Sequence, residues 1–344
     1  MTEPLNRDAW RAQISEVPLD PTLQIVDAHH HLWPIPMSPK MEAYDAKALL
    51  ADKTGCGHNI VATVFVEAHA RYRTDGPSSL RPVGETEYAE HSGREADRIG
   101  MGAAGACAAI VANADMMLGE RVEEVLIAHR EASPGRLRGI RHLIAYDPDF
   151  PGVLPGSRPG VMGEPIFRAA FARLAAHDLS FDAWVLHPQL GELSELAAAF
   201  PDTRIVLDHV GAPMGTGRYA NGASEGFDEW RRGLADIAAH PNVVVKLGGL
   251  NMAVTNLGAP TDAPKPWTSP RMAEVQGRYL LTAIDLFGPS RCMFESNFPV
   301  DRMSTSACVL WNSFKLVTER YSSAEKAELF SGAAARTYRL VLSK

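Results

Sequence analysis

The chain has 344 residues and a formal net charge of −7, with 46% hydrophobic and 22% charged residues. This composition is typical of a folded globular protein and excludes a disordered chain. No run of about 18 apolar residues offers a membrane span, and the N-terminus has no secretion-signal pattern. The net negative charge does not provide the positive electrostatic potential that attracts nucleic acid. We therefore expect a cytoplasmic protein with neither a nucleic-acid nor a membrane partner.

Eight short apolar runs, rich in β-branched residues, alternate with helix-like stretches. The runs begin near Ile25, Val61, Cys107, Leu137, Phe181, Arg204, Val243 and Arg291. Runs that are apolar throughout are typical of parallel strands covered by helices. Eight such alternations predict an α/β fold, a (β/α)8 TIM barrel. The chain carries neither GxGxxG after its first strand nor GxxxxGK[ST], so we expect no organic cofactor.

Helical periodicity predicts helices over residues 45–53, 165–179, 226–240 and 272–287. We interpret residues 1–344 as a single domain, in which residues 1–23 are an N-terminal lead-in segment. Two connections are long and polar: residues 71–100 after strand two and residues 251–271 after strand seven. Both follow strands, so we expect them to cover a substrate at the carboxyl ends of the strands.

Histidines gather at the predicted ends of three strands. His29, His30 and His31 end the first strand, where alternation turns His29 and His31 to one face and His30 to the other. His187 and His209 end strands five and six. Catalytic zinc takes three protein ligands and keeps one position for water. His29, His31 and His187 are therefore the candidate ligands, and His209 is a fourth ligand or a proton-transfer group.

Several motifs extend from Ile25 to the terminal ARTYRL segment: VDAHHHLW, GETE, LRGIRH, LDHVG, VVVKLGGL and MFESNFPVD. Together they resemble the amidohydrolase superfamily, and most of all the branch with the fuconolactonases and the pyrone-dicarboxylate lactonase. The resemblance implies a barrel in which His29, His31, His187 and a residue after strand eight face the substrate. That last residue is an aspartate in the relatives and is Asn297 in this chain.

The amide of Asn297 cannot accept a proton as a general base, and losing such a base costs on the order of 10²–10⁴-fold in rate. Asp301 is the carboxylate that we expect to replace it, although a helix N-cap role is an equal alternative. Glu67 and Glu295 are the other carboxylates that could face the site. Binuclear relatives carry a modified lysine after strand four, which LRGIRHLIAYDP lacks. The histidines therefore either hold one zinc ion or polarise the substrate directly.

Four further residues are candidates for substrate binding. Arg141, on strand four, is the expected anchor for a substrate carboxylate, because guanidinium binds carboxylates bidentately. Lys246 on strand seven and Glu67 on strand two would lie at or near the barrel interior. Trp33 is placed to pack on a substrate ring.

These features predict a hydrolase that opens the ester bond of a small carboxylated or sugar-derived lactone by water attack. Two alternatives stay open. One is a zinc-dependent decarboxylase of an aromatic or unsaturated acid, and the other is a barrel that binds a small acid without turnover. The expected partner is a small-molecule substrate, and a homodimer is the default expectation for the assembly.

Overall fold

The computed structural model describes residues 6–37, 41–100, 105–150, 157–220, 223–260 and 262–342. Eight parallel strands lie in one sheet in chain order, which confirms the predicted α/β barrel architecture. The strands are Gln24–His30 (β1), Asn59–Val66 (β2), Ala109–Asn113 (β3), Leu137–Arg141 (β4), Ser180–Ala183 (β5), Ile205–Leu207 (β6), Val243–Leu247 (β7) and Cys292–Phe294 (β8).

The end of β1 meets the segment that follows β8. His30 and Phe298 form a parallel bridge, and the backbone N–H of His31 donates to the Phe298 carbonyl at 2.7 Å. The N–H of Asn297 donates to the His29 carbonyl at 2.9 Å. This contact places the Ser-Asn-Phe-Pro segment directly beside the triple histidine.

Helices lie between the strands and cover the sheet. They are Arg7–Arg11 (α1), Ala46–Gly55 (α2), Val83–Ile99 (α3), Val122–Ala132 (α4), Pro165–Phe171 (α5), Arg173–Ala176 (α6), Leu190–Ala199 (α7), Ala223–Ala238 (α8), Ser269–Phe287 (α9), Ala307–Val317 (α10), Ser323–Ala327 (α11) and Ala333–Tyr338 (α12). The helix predicted over residues 165–179 is thus two short helices, α5 and α6. Within the described ranges, no helix is both long enough and apolar enough to cross a membrane.

The connection after β2 is shorter than predicted. Much of the segment 71–100, expected as a loop, is the 17-residue helix α3. The prediction of a loop was wrong because several polar residues of α3 are buried and hydrogen-bonded inside the protein. Glu85, for example, accepts the backbone N–H groups of Ala68 and Ala70, both at 2.9 Å. The described part of residues 248–268 after β7 forms no helix, in agreement with the long connection expected there.

The segment before β1 is fastened to helix α10 by Asn312. The amide of Asn312 donates to the Val17 carbonyl and the Glu16 carboxylate, both at 3.0 Å, and accepts from the Leu19 N–H at 2.8 Å. Lys315, one turn further, donates to the Leu19 carbonyl at 2.9 Å. The predicted lead-in is therefore held against the barrel by buried amide and ammonium groups.

We expect Asn312→Ala to lower the free energy of unfolding by about 1.5–4.5 kcal/mol, because three hydrogen bonds of about 0.5–1.5 kcal/mol each are lost. Denaturant unfolding measures the change. The control is Asn59→Ala, which removes an exposed amide that donates to the Thr22 carbonyl at 3.2 Å. Equal losses in the two variants would contradict this role of Asn312.

Candidate active site

The carboxyl ends of β1, β6 and β8 bring three histidines and a glutamate together. His29 lies in β1, His31 follows it, His209 follows β6 and Glu295 follows β8. The His29 ring centroid lies 4.7 Å from the centroids of both His31 and His209. All four side chains are buried, and none of these residues is more than 5% exposed. We refer to these four residues as the histidine cluster.

His29 and His31 face each other, as the strand alternation predicts. Their Nε2 atoms are 3.2 Å apart, whereas His30 points away and lies 2.9 Å from the Thr63 hydroxyl. The Nδ1 atom of His31 is 2.9 Å from the Val66 carbonyl. Because a carbonyl only accepts, His31 Nδ1 carries the hydrogen and its Nε2 presents a lone pair.

Glu295 contacts the other two imidazoles and is hydrogen-bonded to one of them, His209. Its Oε1 lies 2.6 Å from His209 Nδ1, and its Oε2 lies 3.2 Å from His29 Nδ1. Burial by itself would raise the pKa of Glu295, but His209 and His29 hold that pKa at about 2. Burial would lower the pKa of His209, but the Glu295 carboxylate raises it above its usual value. The glutamate is therefore ionised, and His209 is favoured in its protonated form.

His209 has a backbone conformation that side-chain-bearing residues rarely adopt. Its φ is +55°, and the next residue, Val210, has a φ of +49°. A left-handed backbone conformation costs free energy for a residue other than glycine. Such residues cluster at functional sites, where the surrounding structure holds them in place. The turn after β6 places His209 against His29.

The donor set of the histidine cluster fits a single divalent cation. His29, His209 and Glu295 each offer a ligand atom, and these atoms lie within 4.8 Å of one another. The 3.2 Å between His29 Nε2 and His31 Nε2 is close to the separation of about 3.3 Å between two nitrogens bound to a tetrahedral zinc ion. A carbonyl on the Nδ1 of His31 is also the usual outer partner of a ligating histidine.

His187, the predicted third ligand, lies apart from this group. Its Nδ1 accepts the backbone N–H of Met214 at 3.0 Å, and its ring packs on Tyr219 with centroids 4.5 Å apart. Burial lowers the pKa of His187 to about 4, so the ring is neutral and its hydrogen is on Nε2. Among the described residues this Nε2 has no hydrogen-bond partner. Among the described residues, the group that could hold a metal is His29, His209 and Glu295, without His187, whose Nε2–H is available as a donor.

Asn297 and Asp301 form one buried unit. The amide of Asn297 donates to Asp301 Oδ1 at 3.0 Å, and Asp301 Oδ2 accepts from the backbone and side-chain nitrogens of Asn251, both at 3.1 Å. Burial raises the pKa of Asp301 to about 7. Asp301 does not cap helix α10, because the side chain of Ser306 has that role. The structure thus places a carboxyl group that titrates near neutrality beside the amide.

Arg141, the predicted carboxylate anchor, is occupied by the protein's own acids. Its Nε donates to Glu67 Oε1 at 2.7 Å, another guanidinium nitrogen donates to the Glu67 carbonyl, and a third lies 3.5 Å from Asp208 Oδ2. The Oε2 of Glu67 has no hydrogen-bond partner among the described residues. The free polar atom of this pair is therefore an acceptor and not a cation.

Lys246 is likewise engaged inside the barrel. Its Nζ lies 2.7 Å from Asp182 Oδ2, 3.0 Å from Asp208 Oδ1 and 3.1 Å from His29 Nδ1. Two of these contacts, to Asp182 and His29, are hydrogen bonds, and the contact with Asp208 is an ion pair. This placement does not agree with the predicted substrate contact and assigns Lys246 to the support of His29.

Trp33 covers the histidine cluster. Its ring stacks on His31 with centroids 5.8 Å apart, and its Nε1 donates to the Glu42 carbonyl at 2.9 Å. Trp33 is buried, so its predicted contact with a substrate ring would require this cover to open.

Two buried acids were missing from the sequence-based analysis, Asp182 in β5 and Asp208 after β6, whereas Glu295 after β8 was considered there as a carboxylate that could face the site. Their signal in the sequence is a charged residue inside or at the end of an apolar strand. Such a residue is expensive to bury without a partner, so it marks the barrel interior.

A closed α/β barrel with histidines and carboxylates at the carboxyl ends of its strands defines the class of barrel enzymes that work at this face. Residues 26–340 match the model of an amidohydrolase family. The chain therefore belongs to this amidohydrolase family.

Individual relatives agree with this assignment. The chain is 30% identical over 327 residues to an uncharacterised protein of Sinorhizobium fredii, covering 92% of this chain and 99% of the relative. It is 30% identical to an L-fucono-1,5-lactonase of Burkholderia ambifaria over 57% of this chain and 64% of that protein. A zinc-containing amidohydrolase structure from Burkholderia multivorans superposes with a TM-score of 0.69, at 25% identity over 92% of this chain and all of the other.

We expect Glu295→Gln to flatten the acid dependence of stability. Because the pKa of Glu295 is depressed in the folded state, its contribution is complete above about pH 5 and is lost as the pH falls toward about 2. Urea unfolding at a series of pH values should show a steeper loss for the wild type than for the variant. Glu274→Gln, at an exposed residue paired with Arg271 at 2.7 Å, is the control. Parallel curves for wild type and Glu295→Gln would contradict the assignment.

Proposed function

We propose that the protein hydrolyses the ester bond of a small lactone, with water as the nucleophile. The observation that supports this proposal most directly is the histidine cluster. Its imidazoles are held by the Val66 carbonyl and by Glu295, and their nitrogens converge at the carboxyl ends of the strands. Similarity to an L-fucono-1,5-lactonase supports the same reaction class.

Zinc is the cofactor we propose, held by the histidine cluster. When bound, such an ion supplies Lewis acidity and lowers the pKa of its water toward neutrality. The zinc in the similar Burkholderia multivorans structure supports this choice of metal.

The chain's own residues supply the donor and the base. His187 has an unpartnered Nε2–H that can donate to the lactone carbonyl oxygen as negative charge develops there. Asp301, with a pKa of about 7, accepts a proton from the attacking water at neutral pH. Asn297 keeps the Asp301 carboxylate in place through its amide hydrogen bond. The proton that Asp301 accepts can then pass to the leaving alkoxide, while His209 stays with Glu295 in the group that would hold the metal.

An uncharged, hydroxyl-bearing lactone suits this interior better than a dicarboxylate. Arg141 is engaged by Glu67 and Asp208, so its guanidinium is not free for a substrate carboxylate. Among the described residues, Glu67 Oε2 is a buried carboxylate oxygen without a hydrogen-bond partner, and His69 Nε2 lies 3.4 Å from it. A substrate hydroxyl would donate to this oxygen, whereas a substrate carboxylate would be repelled by it.

A lactone panel tests the proposed reaction. We expect kcat/KM to be at least about tenfold higher for neutral sugar lactones than for pyrone carboxylates, measured as proton release with a pH indicator. A tenfold difference corresponds to about 1.4 kcal/mol. The double variant His29→Asn/His31→Asn should lose at least about 10²-fold in rate while its thermal midpoint stays within a few degrees. Activity that survives the double variant would contradict the assigned site.

The pH dependence tests Asp301. The wild-type kcat/KM should rise with pH through about 7, because the deprotonated carboxyl group is the active form. Asp301→Asn should remove this limb and lower the rate by about 10²–10⁴-fold. Asp285→Asn, at an exposed aspartate 2.9 Å from Arg320, should leave the profile unchanged. If kcat/KM of Asp301→Asn still rises with pH through about 7, another group is responsible for this pH dependence.

A further inference from the structure

A cavity opens at the amino-terminal ends of β2, β3 and β4, at the opposite end of the barrel from the histidine cluster. The first residues of β2, residues at the start of β4 and the segment that follows α12 line it. Its volume is about 520 Å³, which is within the range of about 300–1,000 Å³ that is usual for small-molecule sites. The cavity is therefore large enough for a ligand and is separate from the candidate active site.

Positive charge dominates the wall of this cavity. Among the described residues that line it, the cations are Lys53, Arg136, Arg138 and Arg339, and the one acid is Asp97. This local balance is opposite in sign to the net charge of −7 of the whole chain. Side chains of one sign that gather in a cleft raise the local concentration of ions of the other sign. The cavity therefore favours an anion.

Two of the arginines already have a carboxylate partner. Arg136 Nη2 lies 2.6 Å from Asp97 Oδ2, and Arg339 Nε lies 3.3 Å from Asp178 Oδ2. Arg339 follows the last residue of α12 and has a φ of +52°, in a conformation that glycine usually supplies at the end of a helix. The charges of these two side chains are partly compensated within the protein.

Arg138, by contrast, has no carboxylate partner among the described residues. Its Nε donates to the Tyr338 carbonyl at 2.8 Å, and its Nη1 donates to the Leu137 carbonyl at 2.9 Å. Both acceptors are uncharged, and Nη2, with two hydrogens, has no partner in the described part of the chain. Burial lowers the pKa of Arg138, and the neighbouring Arg339 and Arg130 lower it further. An anion at Nη2 would compensate this charge.

An apolar strip lies beside the cations. It consists of Val61 in β2 and of Leu340 and Leu342 after α12, which line the same cavity and are half-buried. An inorganic anion would leave this strip exposed to water, whereas a hydrocarbon chain placed on it would remove apolar surface from water. The lining therefore matches an anion that carries an apolar part.

We propose that this cavity binds a small organic carboxylate, with the carboxylate group at Arg138 and the apolar chain on the strip of Val61, Leu340 and Leu342. Guanidinium and carboxylate groups form strong, charge-assisted hydrogen bonds, and Nη2 of Arg138 is available for them. This site is additional to the proposed lactone site at the other end of the barrel and does not depend on it.

Calorimetric titration of the purified protein with sodium octanoate, at constant ionic strength, tests the site. We expect saturable binding, and Arg138→Gln should weaken it by at least about tenfold, because hydrogen bonds to a charged group are lost. The control, Arg320→Gln, removes an exposed arginine that pairs with Asp285 at 2.9 Å and should leave the affinity unchanged. No binding of octanoate, or the same affinity in the wild type and in folded Arg138→Gln, would overturn the proposal.

Inorganic phosphate is the second probe and should bind more weakly than octanoate, because it makes no use of the apolar strip. Phosphate that binds as tightly as octanoate, or more tightly, would reject the proposed class of ligand. If Arg138→Gln does not fold, Arg339→Gln, at an exposed residue, should weaken octanoate binding by about twofold to fivefold, the range for an exposed ion pair. An unchanged affinity in that variant would also overturn the proposal. None of these measurements requires that a lactone be hydrolysed.

Discussion

The interior depends on Asp208, which joins two buried cations from different strands. Its Oδ1 lies 3.0 Å from Lys246 Nζ, and its Oδ2 lies 3.5 Å from Arg141. Burial would raise the pKa of Asp208, but Lys246 and His29 hold that pKa well below its usual value. Removing one partner from such a buried pair costs about 3–5 kcal/mol, because the remaining charge is left without compensation. The buried charged side chains of the barrel therefore hold one another in position, and these positions determine the geometry of the histidine cluster.

This constraint bears directly on the chemistry. The two strong cations, Arg141 and Lys246, are engaged in holding acids in place. Among the described residues, the buried polar atoms without a hydrogen-bond partner include His187 Nε2, Glu67 Oε2 and oxygens of Asp208 and Glu295. The interior thus offers a substrate hydrogen bonds rather than a charge clamp. The resemblance predicts a carboxylate at position 297; in the structure the amide of Asn297 donates to the carboxylate of Asp301, four residues later.

Local patterns in the sequence predicted much of this arrangement. The eight apolar runs identified the strands, and alternation in the triple histidine identified which two rings share a face. Helix α3 was missed because its buried polar residues, such as Glu85, are satisfied by backbone groups of another segment. The engagement of Arg141 was missed because its partner, Glu67, is 74 residues away in the chain. The hydroxyl of Tyr338 donates to Asp182, 156 residues earlier in the chain, and only the closed barrel brings the two together.

The most direct test of the proposed hydrolysis is to trace the oxygen atom of the attacking water into the product. We predict that turnover of a sugar lactone in ¹⁸O-labelled water by the purified protein gives a ring-opened product with one ¹⁸O in its new carboxylate, because water attacks the carbonyl carbon. No carbon dioxide should be released. Carbon dioxide from an aromatic or unsaturated acid, without ¹⁸O-labelled ring opening of any lactone, would contradict the hydrolytic assignment.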